Sequence, residues 1–151
     1  MKLQLTNAEI YDITDNLIKN PIRDEDYIPV TCNFFIHKNI KILMELRQDI
    51  DICRRTIISR YGQEQSNGEF HVKSEYVEQA NKELTELSSI SQEVELYPIP
   101  LAMLAEVQLS YGVLSGLMVM ITVPDELDTA VKNGQLEELA NKEPEIQYHD
   151  E

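Results

Sequence analysis

The side chains able to do chemistry in this 151-residue chain are three histidines, two cysteines and 27 acidic residues. His37, His71 and His149 stand far apart, and no HxxxH or HExxH spacing puts two imidazoles on one helical face. Cys32 and Cys53 form no CxxC pair and lie in apolar company, which reads as buried, reduced thiols and not as zinc ligands. The trio Asp24-Glu25-Asp26 offers oxygens to a hard cation but lacks the spaced ligands of a calcium loop, so it reads as a solvated turn. Asp49 and Asp51 point apart on a helix, whereas Asp12 and Asp15 can meet but need a pocket to shift a pKa. Ser59, Ser110 and Ser115 have no GxSxG context, and no glycine-rich phosphate loop occurs. These patterns point away from an enzyme and imply neither cofactor nor metal.

What the sequence specifies well is a pair of amphipathic helices between about Ile36 and Val94. In the first arm, Ile36, Ile40, Leu43, Leu46, Ile50, Cys53, Ile57 and Tyr61 follow one another at three- or four-residue steps and share a face. Val77, Ala80, Leu84, Leu87, Ile90 and Val94 repeat the pattern in the second arm. Gly62 stands where a left-handed C-cap belongs, and Ser74 is placed as the N-cap of the return helix. From Lys38 to Arg60 six basic residues face three acidic ones, whereas from Glu75 to Glu93 five acids face one lysine. The apolar stripes hold the arms together and the charges set their orientation, since an exposed ion pair contributes only about 0.2–1 kcal/mol.

Flanking elements follow from caps and breakers. Thr6 and Glu9 form a capping box for a helix that buries Ile10, Ile13, Leu17 and Ile18, with Leu5 stapled onto Ile10, and Asn20-Pro21 ends it. Residues 28–34 alternate like a strand, although Pro29 also suits a first helical turn; a short extended entry leading into the first arm is expected. Asn67-Gly68 before Phe70-His71-Val72 marks a small strand pair, for which Val94–Tyr97 is a candidate partner. Leu101–Val123 is the most apolar stretch, and Val107–Val123 carries no charge. Its polar interruptions and the absence of flanking basic clusters make it a buried core helix rather than a membrane span, with Ser110 as cap and Leu114, Leu117, Met118 and Ile121 facing inward. Gly112 and Gly116 have the spacing that lets helices approach closely, either within the chain or in a homodimer.

The formal charge is −14, and Pro124–Glu151 carries nine acids against two lysines. That balance argues against nucleic acid and anionic membranes and for a partner with a basic surface. Arg47, Arg54, Arg55 and Arg60 on the first arm are the remaining phosphate-binding candidates, but the acidic second arm would neutralise them.

The capped first helix, Ile28-Pro29-Val30, Asn33 to Asn39, Tyr61-Gly62, Tyr76 to Leu84, Val94-Glu95-Leu96 and Leu109-Ser110 together resemble short, uncharacterised proteins of tailed phages and prophages of Gram-positive bacteria, over roughly Thr6 to Ile121. The resemblance implies an origin and a fold, and no site.

The expected architecture is mainly α: a long antiparallel helical hairpin packed with an N-terminal helix and a C-terminal apolar helix, with at most a small β-hairpin. Residues 1–123 form one helical domain and 124–151 an acidic, partly helical extension. The expected role is a non-enzymatic phage-type accessory protein that binds another protein stoichiometrically, inhibiting a host defence protein or nuclease in the host cytoplasm. Asp125, Glu126, Asp128, Glu137 and Glu138 are the expected partner-binding residues, and Gly112 and Gly116 the self-association residues. A self-associating virion or assembly component is the alternative, and a metal-dependent hydrolase built on Asp24–Asp26 a third reading.

Overall fold

Thr6 opens the first helix by exchanging hydrogen bonds with Glu9. Its hydroxyl accepts from the Glu9 backbone N–H (3.2 Å), while its own N–H donates to the Glu9 carboxylate (2.7 Å). The computed structural model describes residues 1–123. In it, a strand β1 (Lys2–Thr6) feeds helix α1 (Asn7–Lys19), and Pro21 follows the end of the helix. After a single 3-10 turn at Asp24–Asp26 comes α2 (Val30–Tyr61), whose 32 residues make a rod about 48 Å long. Pro29 is its N-cap, so the segment from Val30 is helical and not extended.

The chain reverses through an antiparallel pair, β2 (Gly62–Glu64) and β3 (Phe70–Val72), turned at Gly68 (φ 81°). Gly62 is extended (φ −104°) rather than left-handed. Its glycine is required by space, since a Cβ there would stand 2.6 Å from the Ile58 carbonyl oxygen. Helix α3 (Val77–Ser89) then packs back on α2, with Arg60 donating to Glu83 (3.0 Å). The second helical arm ends here, short of Val94. Ser91–Glu95 is strand β4, and its antiparallel partner is β1 instead of the Phe70–Val72 strand. Val94 and Leu5 turn inward, while Lys2 and Glu93 pair on the outer face at 3.4 Å.

Leu101–Val123 is not one helix. A 3-10 turn (Leu101–Leu104) follows β5 (Ile99–Pro100), helix α4 spans only Tyr111–Leu117, and β6 (Ile121–Thr122) pairs in parallel with β5. Pro98 and Pro100 hold the entry extended, and Ser110 caps α4 late by accepting from the Val113 N–H. The buried positions are Leu104, Val113, Gly116, Leu117 and Met120, so the inward face lies one residue away from the Leu114–Met118 stripe. Among the described residues no helix is long and apolar enough to cross a membrane.

Among the described residues the fold is therefore mainly α, with three two-stranded sheets, of which β1–β4 and β5–β6 pack on the core. Along α2 the buried residues are Ile36, Leu43, Ile50 and Ile57, one heptad apart, with Cys32 one turn before the first and Asn39 between the first two. Cys53 lies on the same stripe but is exposed, a correction to its expected burial, because the neighbouring elements leave that position uncovered.

Candidate partner-binding surface

Because Cys32, Ile36 and Asn39 point into the core, the helical phase turns Val30, Phe34 and Lys38 outward at the start of α2. Val30 is 86% and Phe34 56% exposed. The Phe34 ring meets Phe35 edge-on at 5.4 Å, and Phe35 lies 5.1 Å from Tyr97. Lys38 Nζ sits 5.4 Å above the Phe34 ring, within the range of a cation–π contact. The result is a ledge of three contiguous aromatic rings edged by a cation, and aromatic residues are enriched in interfaces relative to the rest of a protein surface.

The ledge is fixed from below. Asn39 is fully buried and treats Tyr97 as a strand partner would: its Nδ2 donates to the Tyr97 carbonyl (2.8 Å), and its Oδ1 accepts from the Tyr97 N–H (2.7 Å). That pair clamps the Leu96–Pro98 segment to α2, where it lines an open cleft of about 460 Å³ with Met1, Ile42 and Glu95. Tyr27, exposed just ahead of α2, holds a left-handed backbone (φ 50°), uncommon for a bulky residue.

Several of the residues singled out as chemical candidates are engaged in structure, and His149 lies outside the described residues. Arg47 donates to Asp15 (2.6 Å) and to Thr14 (2.9 Å), and lies over the Tyr11 ring at 4.1 Å. Arg54 covers the same ring at 4.7 Å, and the Tyr11 hydroxyl donates to Asp51. The hydrogen bond from Arg47 holds the Asp15 carboxyl below its ordinary pKa. Burial, reinforced by the bond to Asp51, pushes the Tyr11 hydroxyl up, against the pull of the two arginines. With Arg60 on Glu83, three of the four arginines read as phosphate ligands are occupied within the chain. Asp26 accepts from the Arg23 N–H (2.7 Å) and so serves as a turn cap. His37 borders a small apolar cleft between α1 and α2, and His71 lies on β3. Among the described residues no three His, Cys, Asp or Glu side chains gather as a metal set.

The chain matches no protein-family model, no curated protein and no solved structure. The molecule's own surface is therefore what bears on its role.

Of the expected site residues, Asp125, Glu126, Asp128, Glu137 and Glu138 lie outside the described residues. Gly112 and Gly116 face α1: a Cβ on Gly112 would overlap the Asn20 amide, and one on Gly116 would stand 2.9 Å from Leu17 Cδ2. Their spacing is used for close approach of α4 to α1 inside the chain. The aromatic ledge is not among the expected sites. Its sequence signal is the phase of α2: carrying the Leu43–Ile36 stripe back through Cys32 leaves Phe34 outside.

Proposed function

We propose that this chain is a non-enzymatic, phage-type accessory protein that binds another protein stoichiometrically, with the Phe34–Phe35–Tyr97 ledge as the anchor of the contact. The observation that carries the reading is the ledge: large apolar rings, half-exposed yet rigidly seated, with Lys38 at the edge and a cleft beside them. Such a surface costs solubility if it serves nothing, and aromatic residues are enriched in interfaces. The −14 charge favours a partner with a basic surface, such as a host defence protein or nuclease met in the host cytoplasm, because opposite fields speed docking. In this reading Asp125, Glu126, Asp128, Glu137 and Glu138 steer the approach and the ledge holds the complex.

The experiment is capture from a Gram-positive host lysate with tagged wild type and with Phe34→Asp. Wild type should retain one basic protein at a fixed molar ratio. Phe34→Asp, folded by circular dichroism, should weaken that complex by at least about 30-fold, the scale of a hot-spot loss near 2 kcal/mol. Neutralising the five acids should instead slow association and flatten its salt dependence. Equal retention of the partner by Phe34→Asp would overturn the assignment.

A further inference from the structure

The outer face of α2 beyond the ledge is a second, separate surface. Gln48, Asp49, Ile52, Arg55 and Thr56 line it. Ile52, 53% exposed, is the one large apolar side chain exposed between Phe34 and Phe70. It lines a shallow groove of about 280 Å³ on the helix's own surface together with Met44, Arg47, Gln48, Asp51 and Arg55. Asp49 stands three residues before Ile52 and Arg55 three residues after it, so an acid and a base flank the isoleucine symmetrically.

We propose that this face is the interface of a two-fold dimer of the chain, its α2 helices antiparallel and crossing at Ile52. A two-fold axis there sets Ile52 on its own copy, and Asp49 of each chain against Arg55 of the other, twice over. It also sets Gln48 against Thr56 and Glu45 against Ser59, so no like charges oppose each other. Two other alignments do worse. A parallel pair would place Asp49 on Asp49 and Arg55 on Arg55. An antiparallel axis at Gln48 would join Met44 to Ile52, but at the expense of Lys41 against Arg55 and Glu45 against Asp51. The charge order along this stripe therefore selects a second copy in one register, which is the self-complementarity that a closed two-fold interface demands.

The dimer goes beyond the proposed partner contact and leaves it open. Phe34 lies 18 residues from Ile52, about 27 Å along the rod, so the two ledges would stand roughly 54 Å apart at opposite ends. A bivalent molecule of that span gains avidity on any partner that is itself paired or repeated.

Sedimentation equilibrium on the full chain and on Asp49→Arg and Arg55→Asp tests the register. Wild type should sediment at twice the 17.4 kDa chain mass. Each single reversal opposes like charges at two symmetric places and should weaken the dimer by about tenfold or more. An equimolar mixture of the two variants should restore it as a heterodimer. In that pairing the introduced arginine of one chain meets the introduced aspartate of the other, and the retained Arg55 of the first meets the retained Asp49 of the second. Wild type that stays monomeric to about 100 µM overturns the proposal. So does a dimer indifferent to both reversals, or a mixture that fails to recover. None of these outcomes depends on capture of the ledge's partner.

Discussion

Replacing Asn39 with leucine removes both side-chain bonds to Tyr97 while keeping the same branching and heavy-atom count in a somewhat larger side chain. The Tyr97 N–H and C=O then lose their partners beneath the ledge, and an orphaned main-chain group costs about 1–3 kcal/mol. Tyr97 is partly exposed and regains some water, which places the combined loss near 2–4 kcal/mol. The leucine returns about 1 kcal/mol through apolar burial, leaving a net destabilisation of about 1–3 kcal/mol. In urea the midpoint should fall by about 1 M with an unchanged slope, and the Tyr97 amide should exchange faster with solvent. Asn33 is the control. Its Oδ1 is buried with no partner, so Asn33→Ala should cost less than about 0.5 kcal/mol. Equal midpoints for the two variants would refute the reasoning that Asn39 acts through Tyr97.

Asp15 has a folded pKa below its unfolded one, so its contribution to stability is complete above the unfolded value and fades as pH falls through the lower, folded value. Melting temperatures followed from about pH 5 to pH 2 should fall further in wild type than in Asp15→Asn, and parallel curves would count against the Arg47 bond. Thiol titration with an aromatic disulfide should modify Cys53 at once and Cys32 only on unfolding, since Cys32 is buried and its thiol pKa is pushed up by that burial. Gly116→Leu should destabilise by about 1–3 kcal/mol through overlap with Leu17 while leaving any dimer mass unchanged. Loss of the dimer without loss of stability would return the glycines to an intermolecular face.

Periodicity and capping make the helices legible: Thr6-x-x-Glu9 specifies the start of α1, and the Ile36–Ile57 stripe specifies α2. What escapes is non-local. Lys2–Thr6 has no strand signal apart from its alternation, and it becomes a strand because residues 91–95 arrive beside it. Leu101–Val123 reads as one helix because nothing local shows that β6 returns to β5. The ledge escapes for a different reason. Alternation at Ile28, Val30, Cys32 and Phe34 suggests a strand period where Pro29 in fact begins a helix, and that choice decides which way Phe34 points.

Strand β1 leaves the ribosome long before the segment that completes it, for Thr6 waits on Ser91 and Lys2 on Glu95. At about 5–20 residues per second, that delay is roughly 5–20 s. During it, α1 and the α2–α3 turnaround can consolidate while the leading strand stays open to wrong partners. Lys2, Gln4 and Thr6 alternate with its leucines, a composition that discourages nascent chains on one polysome from annealing to each other. Speeding synthesis or slowing it should therefore leave the yield of native protein largely unchanged, whereas turning Lys2 and Gln4 into valines should send newly made chains into inclusion bodies.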